Sequence, residues 1–143
     1  MDSVTLRNWF KSTRAAVPPR RLQVTNSTRD TVIATSVEVA DSGTARSRGL
    51  LGRKALAAGE GLWIVPCESI HTFGMQFALD LVYIDRQHRV RKIRRNVPPW
   101  RVSACLTAHS VIELAAGSLR EFDVLPGDTL VFSPLAAEAG TSY

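Results

Sequence analysis

Two acidic residues stand where an apolar sequence leaves least room for charge. Asp80 interrupts Leu79-Asp80-Leu81-Val82-Tyr83-Ile84, and Glu113 interrupts Ser110-Val111-Ile112-Glu113-Leu114-Ala115. In strands, alternation puts Asp80 on the face of Val82 and Ile84, and Glu113 on the face of Val111 and Ala115. A carboxylate in such company needs hydrogen bonds or a cation, because its charged form is costly to bury. Three cations are at hand in Ala45-Arg46-Ser47-Arg48-Gly49-Leu50-Leu51-Gly52-Arg53. The planar guanidinium of Arg46, Arg48 or Arg53 can grip a carboxylate with two bonds. One reading makes Asp80 and Glu113 an acid/base pair in a cleft. The other, which we favour, makes them anchors that tie an arginine-bearing helix to a sheet, since structural ion pairs produce the same pattern.

A second constellation is Cys67-Glu68-Ser69-Ile70-His71 together with Cys105-Leu106-Thr107-Ala108-His109, both C-x3-H. Positions i and i+4 share a face in a strand or a helix, so Cys67, His71, Cys105 and His109 are candidate zinc ligands. The same residue types suit a Cys–His nucleophilic pair. Against both, zinc-knuckle turns and a nucleophile turn are missing, and two buried thiols with locally bonded histidines explain the pattern more simply. No cofactor is otherwise evident.

The third feature is basic. Arg86, Arg89, Arg91, Lys92, Arg94, Arg95 and Arg101 fall in one stretch without an acidic residue, beside Trp100. A hairpin over 86–101 with Arg89, Arg91, Lys92, Arg94 and Arg95 on it could track a phosphate backbone. A solvated edge strand protected by its charge is the alternative, and the one we favour. Phosphate-loop, dinucleotide-glycine, H-E-x-x-H and G-x-S-x-G motifs are all missing from the sequence.

The elements that must position these residues are short. Residues 22–26 and 31–39 read as strands joined by a turn over 27–30, and Asp41-Ser42-Gly43 supplies capping chemistry for a helix over 44–51 that Gly52 can end. Further strands are expected over 62–65, 77–84, 89–95, 110–116 and 129–133, with Pro126-Gly127-Asp128 as the last turn. The sum is a mainly β (α+β) domain, a small barrel-like or strongly curved sheet with one or two short helices. Its limits are 20–134, preceded by an arm over 1–19 that Pro18 and Pro19 separate, and followed by a short tail over 135–143.

With 143 residues, 45% of them hydrophobic and 22% charged, the chain fits one globular domain. No apolar run approaches the ~20 residues needed to cross a bilayer. No signal peptide is visible, so a cytoplasmic location is expected. The net charge of +5 permits attraction to anionic partners without requiring it.

An ordered series of these segments resembles a known family. Arg48-Gly49-Leu50-Leu51-Gly52-Arg53 precedes Gly59-Glu60-Gly61-Leu62-Trp63-Ile64 and Pro66-Cys67-Glu68-Ser69-Ile70-His71-Thr72-Phe73-Gly74-Met75. Leu79-Asp80-Leu81-Val82-Tyr83-Ile84-Asp85, Pro99-Trp100-Arg101, Val111-Ile112-Glu113-Leu114-Ala115-Ala116-Gly117 and Pro126-Gly127-Asp128 follow. Over about 20–134 this resembles the prokaryotic family catalogued as domain of unknown function 192. The resemblance implies a compact, mostly β domain with a short arginine-containing helix, and no activity. Its signature positions are Arg48, Gly49, Leu50, Arg53, Met75, Asp80 and Glu113. Where many members carry an aromatic-Met-Lys-Asn segment, this chain has His71-Thr72-Phe73-Gly74-Met75-Gln76.

The leading functional expectation is a small accessory or binding domain. Its candidate ligand residues are Arg48, Arg53, His71, Met75, Asp80 and Glu113, set for a small anionic molecule or a peptide. A metal- or Cys/His-dependent enzyme ranks second, and nucleic-acid binding through the 86–101 hairpin third.

Overall fold

The computed structural model describes residues 20–120 and 122–135, so the expected arm over 1–19 and the tail beyond 135 lie outside the described residues. Nine strands and one short helix follow in the order β1 (Arg21–Asn26), β2 (Thr31–Ala40), α1 (Gly43–Arg48), β3 (Glu60–Ile64), β4 (Ser69–His71), β5 (Leu79–Ile84), β6 (Val90–Val97), β7 (Val102–Ala104), β8 (Ser110–Ala115) and β9 (Leu130–Pro134). Seven of them form one sheet in the order β6-β5-β8-β3-β2-β1-β9, and β4 pairs with β7 as a separate arm. The large sheet curls until its two ends approach, where Arg89 bridges Thr129 and Val90 donates to the Asp128 carbonyl at 2.8 Å. The mainly β, strongly curved architecture expected from the strand-and-turn pattern is what the chain adopts. Among the described residues no helix is long and apolar enough to cross a membrane.

Strand alternation builds two apolar layers. Val24, Val37, Val82, Ile84, Ile112 and Leu114 pack inside the curl. Leu62, Ile64, Leu79, Leu81, Tyr83 and Val111 pack on the other side, roofed by Leu50, Leu56 and Met75 from the connections. Every residue of β5 and all but the last of β8 are buried, because these central strands are covered on both faces. Such burial contributes roughly 1.5–3 kcal/mol per large aliphatic side chain, which makes this pair the structural centre of the domain.

The β2–β3 pair is parallel, so the chain crosses over between them, and α1 lies in that crossover. Ser42 caps α1, its hydroxyl accepting from the Ala45 N–H at 3.1 Å. The helix stops earlier than Gly52 suggests. Gly49 takes a φ of 48° and returns its N–H to the Ala45 carbonyl, so residues 49–53 run on as turns. Both β4 and β7 are three residues long, too short to show a period, and the sequence pattern does not reveal them.

Candidate functional site

The register of β5 against β8 decides what the two buried carboxylates can do. Asp80 pairs with Leu114, and Leu81 with Glu113. Directly opposed residues share a face, so Asp80 and Glu113 point to opposite sides of the sheet. They form no acid/base pair, and among the described residues no arginine side chain is bonded to Asp80. Its carboxylate is fully buried and accepts from the backbone N–H groups of Asn96 (2.9 Å), Gly117 (3.1 Å) and Leu119 (3.1 Å). Three amide donors replace the cation expected from sequence. Asp80 fastens the end of β6 and the turn after β8 to β5, and lies away from the cleft described next.

Glu113 is different. Its side chain lies on the outer layer beneath a cleft of about 340 Å³. Arg46, Ser47 and Arg48 of α1 form one wall, Ser69, Ile70 and His71 of β4 the other, and Met75 and Ile64 add apolar surface. Glu113 is 5% exposed and makes no side-chain hydrogen bond or ion pair within the described residues. Burial pushes its carboxyl up to about 7, against a smaller lowering by the charge of Arg53. Near neutrality it can therefore both donate and accept a proton.

The arginines divide their work. Arg53 holds Glu38 at 3.0 Å, with Arg21 at 3.9 Å, and faces the neighbouring recess instead of gripping either expected carboxylate. Arg46 donates to the Asp41 carbonyl at 2.7 Å. Arg48 has no side-chain partner among the described residues and is exposed on both recesses. Of the residues expected at a ligand site, Arg48, His71, Met75 and Glu113 converge on the cleft, whereas Arg53 stands beside it and Asp80 across the sheet.

Among the described residues no three His, Cys, Asp or Glu side chains gather to hold a metal ion. Cys67 and His71 both line the cleft, while His109 lies with Cys67 at a separate shallow recess. Each thiol is engaged locally: Cys67 donates to the Ser69 carbonyl at 3.1 Å, and Cys105 meets the Thr107 hydroxyl at 3.4 Å. Burial pushes the Cys67 thiol up, which disfavours the thiolate that a ligand or nucleophile needs. The zinc site suggested by the paired C-x3-H spacing is not assembled by these residues.

The basic strand β6 lies at one end of the sheet. Arg91 is within 4.0 Å of Asp85 and donates to Thr107, Lys92 donates to the Ala104 carbonyl, and Arg95 reaches the Arg120 carbonyl. Arg89 and Arg94 are exposed. Several of these cations thus brace loops and the arm instead of standing as one open stripe.

Sequence reasoning missed the aromatic surface at the rim. His71 stacks on Phe73 with centroids 5.1 Å apart, and Phe73 on Trp100 at 5.9 Å. The β4–β7 pairing, invisible in the sequence, brings residues near 71 and 100 together.

Comparisons with known proteins agree with this architecture. Two solved structures share it: a chain from Sinorhizobium meliloti 1021, provisionally described as a transcription regulator, and a protein of unknown function from Novosphingobium aromaticivorans DSM 12444. The first is 23% identical with a TM-score of 0.69, covering 79% of this chain and 92% of that one. The second is 20% identical with a TM-score of 0.66, covering 78% and 83%. At these identities the likeness speaks for the fold alone. No curated protein matches the sequence. The family model for DUF192, described as an uncharacterized ACR, matches residues 23–132, through the strands and the cleft alike, and the chain belongs to that family.

Proposed function

We propose that the domain binds a small anionic ligand, a carboxylate or phosphate compound or a peptide carboxylate, in the cleft between α1 and β4. The observation that carries this reading is Glu113: a buried side chain without a partner among the described residues, beneath an opening walled by Arg46 and Arg48. A buried carboxyl with no protein partner among the described residues, at the floor of an open cleft, is available to hydrogen-bond a ligand group there. The arginines favour an anion at the mouth, and Met75, Ile64 and Leu50 suit an apolar body between the two ends.

Calorimetric titration with inorganic phosphate, short-chain carboxylic acids and glycylglycine tests the reading. Saturable binding by one of these probes is expected, weakened by R48A and altered by E113Q. Binding indifferent to both substitutions, or no binding by any probe, would sink it.

A further inference from the structure

The exposed aromatic stack on the arm is a second surface, separate from the interior of the cleft and touching it only at His71. It is built, not incidental. Thr72 is fully buried, and its hydroxyl donates to the Pro98 carbonyl at 2.8 Å while accepting from the Arg101 N–H at 2.9 Å. Its backbone carbonyl accepts from the Trp100 N–H at 3.1 Å, and its N–H donates to the Arg101 carbonyl at 2.9 Å. This clamp holds Trp100 at a φ of 67°, a left-handed conformation that a bulky residue adopts only at a cost. The indole it carries is 67% exposed.

Trp100 lies 28° from the plane of Phe73, and Phe73 28° from that of His71, so the three rings form one offset stack ending on Trp100. No other ring or cation covers the outer indole face among the described residues. The flanking charge is positive. Arg101 is adjacent and exposed, and residues 86–101 contain no acidic side chain. An apolar protein partner would find no counter-charge here for its own basic residues. A flat, π-faced and polyanionic chain finds a stacking end and a cation together.

We infer that the His71–Phe73–Trp100 stack is a contact surface for single-stranded nucleic acid, one base extending the stack on Trp100 and a neighbouring phosphate meeting Arg101. Stacking of this kind is tolerant of base identity, because every base has a π face. A duplex hides those faces, so single strands are preferred.

Fluorescence anisotropy with short labelled oligothymidylate, oligouridylate and a duplex of equal length tests it, at low salt and at about 0.2 M salt. Expected is binding to the single strands that weakens as salt rises, and weakens about tenfold or more in W100L and in F73L. The two substitutions lie at exposed positions, and circular dichroism of each variant checks that the fold is kept. The comparison of thymidylate with uridylate separates DNA from RNA preference. E113Q is expected to leave oligonucleotide binding unchanged while altering the binding of small anions, which distinguishes this surface from the cleft. No binding at low salt, equal binding by W100L and F73L, a preference for duplex, or capture of acidic peptides in place of oligonucleotides would each overturn the assignment.

Discussion

Asp80 and Glu113 occupy adjacent strands one register position apart, yet their carboxylates face opposite sides of the sheet. Their environments separate them as fully as their directions do. One carboxylate is saturated by three amide donors, and the other is buried with no hydrogen-bond or ion-pair partner among the described residues. The same residue class, in similar apolar strings, thus serves as an anchor in one strand and as a group facing a cleft in the next.

Asp80→Ala should destabilise the whole domain. It strands the amides of Asn96, Gly117 and Leu119, of which the last is deeply buried. At about 1–3 kcal/mol per orphaned buried donor, with partial rescue by water, a loss of about 3 kcal/mol or more is expected. Urea unfolding followed by circular dichroism measures it. A change below about 1 kcal/mol would show that the end of β6 and the turn after β8 do not depend on this carboxylate.

Glu113→Gln should do the reverse, increasingly as pH rises above about 4.5. The folded protein holds the Glu113 carboxyl at about 7 against an ordinary 4.5. Between those values the folded state keeps a proton that the unfolded state releases, so stability falls as pH rises. The gap corresponds to about 3 kcal/mol, fully present above about pH 7 and absent below about pH 4.5. Removing the ionisable group therefore stabilises the protein most near pH 8, and the advantage shrinks toward pH 5. Melting curves of both proteins across that range check it, and a constant difference would refute the shift.

The sequence made the strands legible where they were long enough to alternate. β1, β2, β5 and β8 follow the expected segments to within two residues at either end, as the burial of β5 and β8 required. It also marked Glu113, Arg48, His71 and Met75, whose chemistry is local to the residue type. What stayed hidden depended on pairing. The opposite facing of Asp80 and Glu113 follows from register between strands, which neither segment contains. The backbone partners of Asp80 come from residues 16 to 39 positions away, and amide donors leave no trace in residue identity. Three-residue strands bring His71 and Trp100 together, and nothing periodic announces them.

Gly61→Ala should perturb the cleft from below. Gly61 lies in β3 opposite Leu114, and an added methyl would stand 2.7 Å from the Leu114 side chain and 2.8 Å from the Glu113 carbonyl oxygen. The leucine can shift, but the carbonyl belongs to the central strand and cannot move without breaking pairing. Overpacking of this kind costs about 1–3 kcal/mol. A melting temperature unchanged from wild type would mean that β3 and β8 separate more easily than their pairing implies.

Asp128 should set the acid limit of the fold. It accepts from Arg29 at 2.6 Å, Asn26 at 2.8 Å and the Leu125 N–H at 2.9 Å, and so joins the β1–β2 turn to the last turn of the chain. Burial alone would push its carboxyl up, but the bonds from Arg29, Asn26 and Leu125 outweigh that and hold it below its ordinary 3.8. A depressed folded value means that the unfolded state binds the proton first. The stabilisation is therefore complete above the ordinary carboxylate range and is lost as pH falls through the folded value. D128N removes the charge while keeping the shape, and should cost about 2 kcal/mol near neutrality through the weakened bond to Arg29. That cost should shrink as the wild-type carboxylate becomes protonated in acid. Urea midpoints of both proteins from about pH 7 to about pH 2.5 test the convergence. Parallel curves would place the acid sensitivity in other carboxylates and leave Asp128 a neutral hydrogen-bonding post.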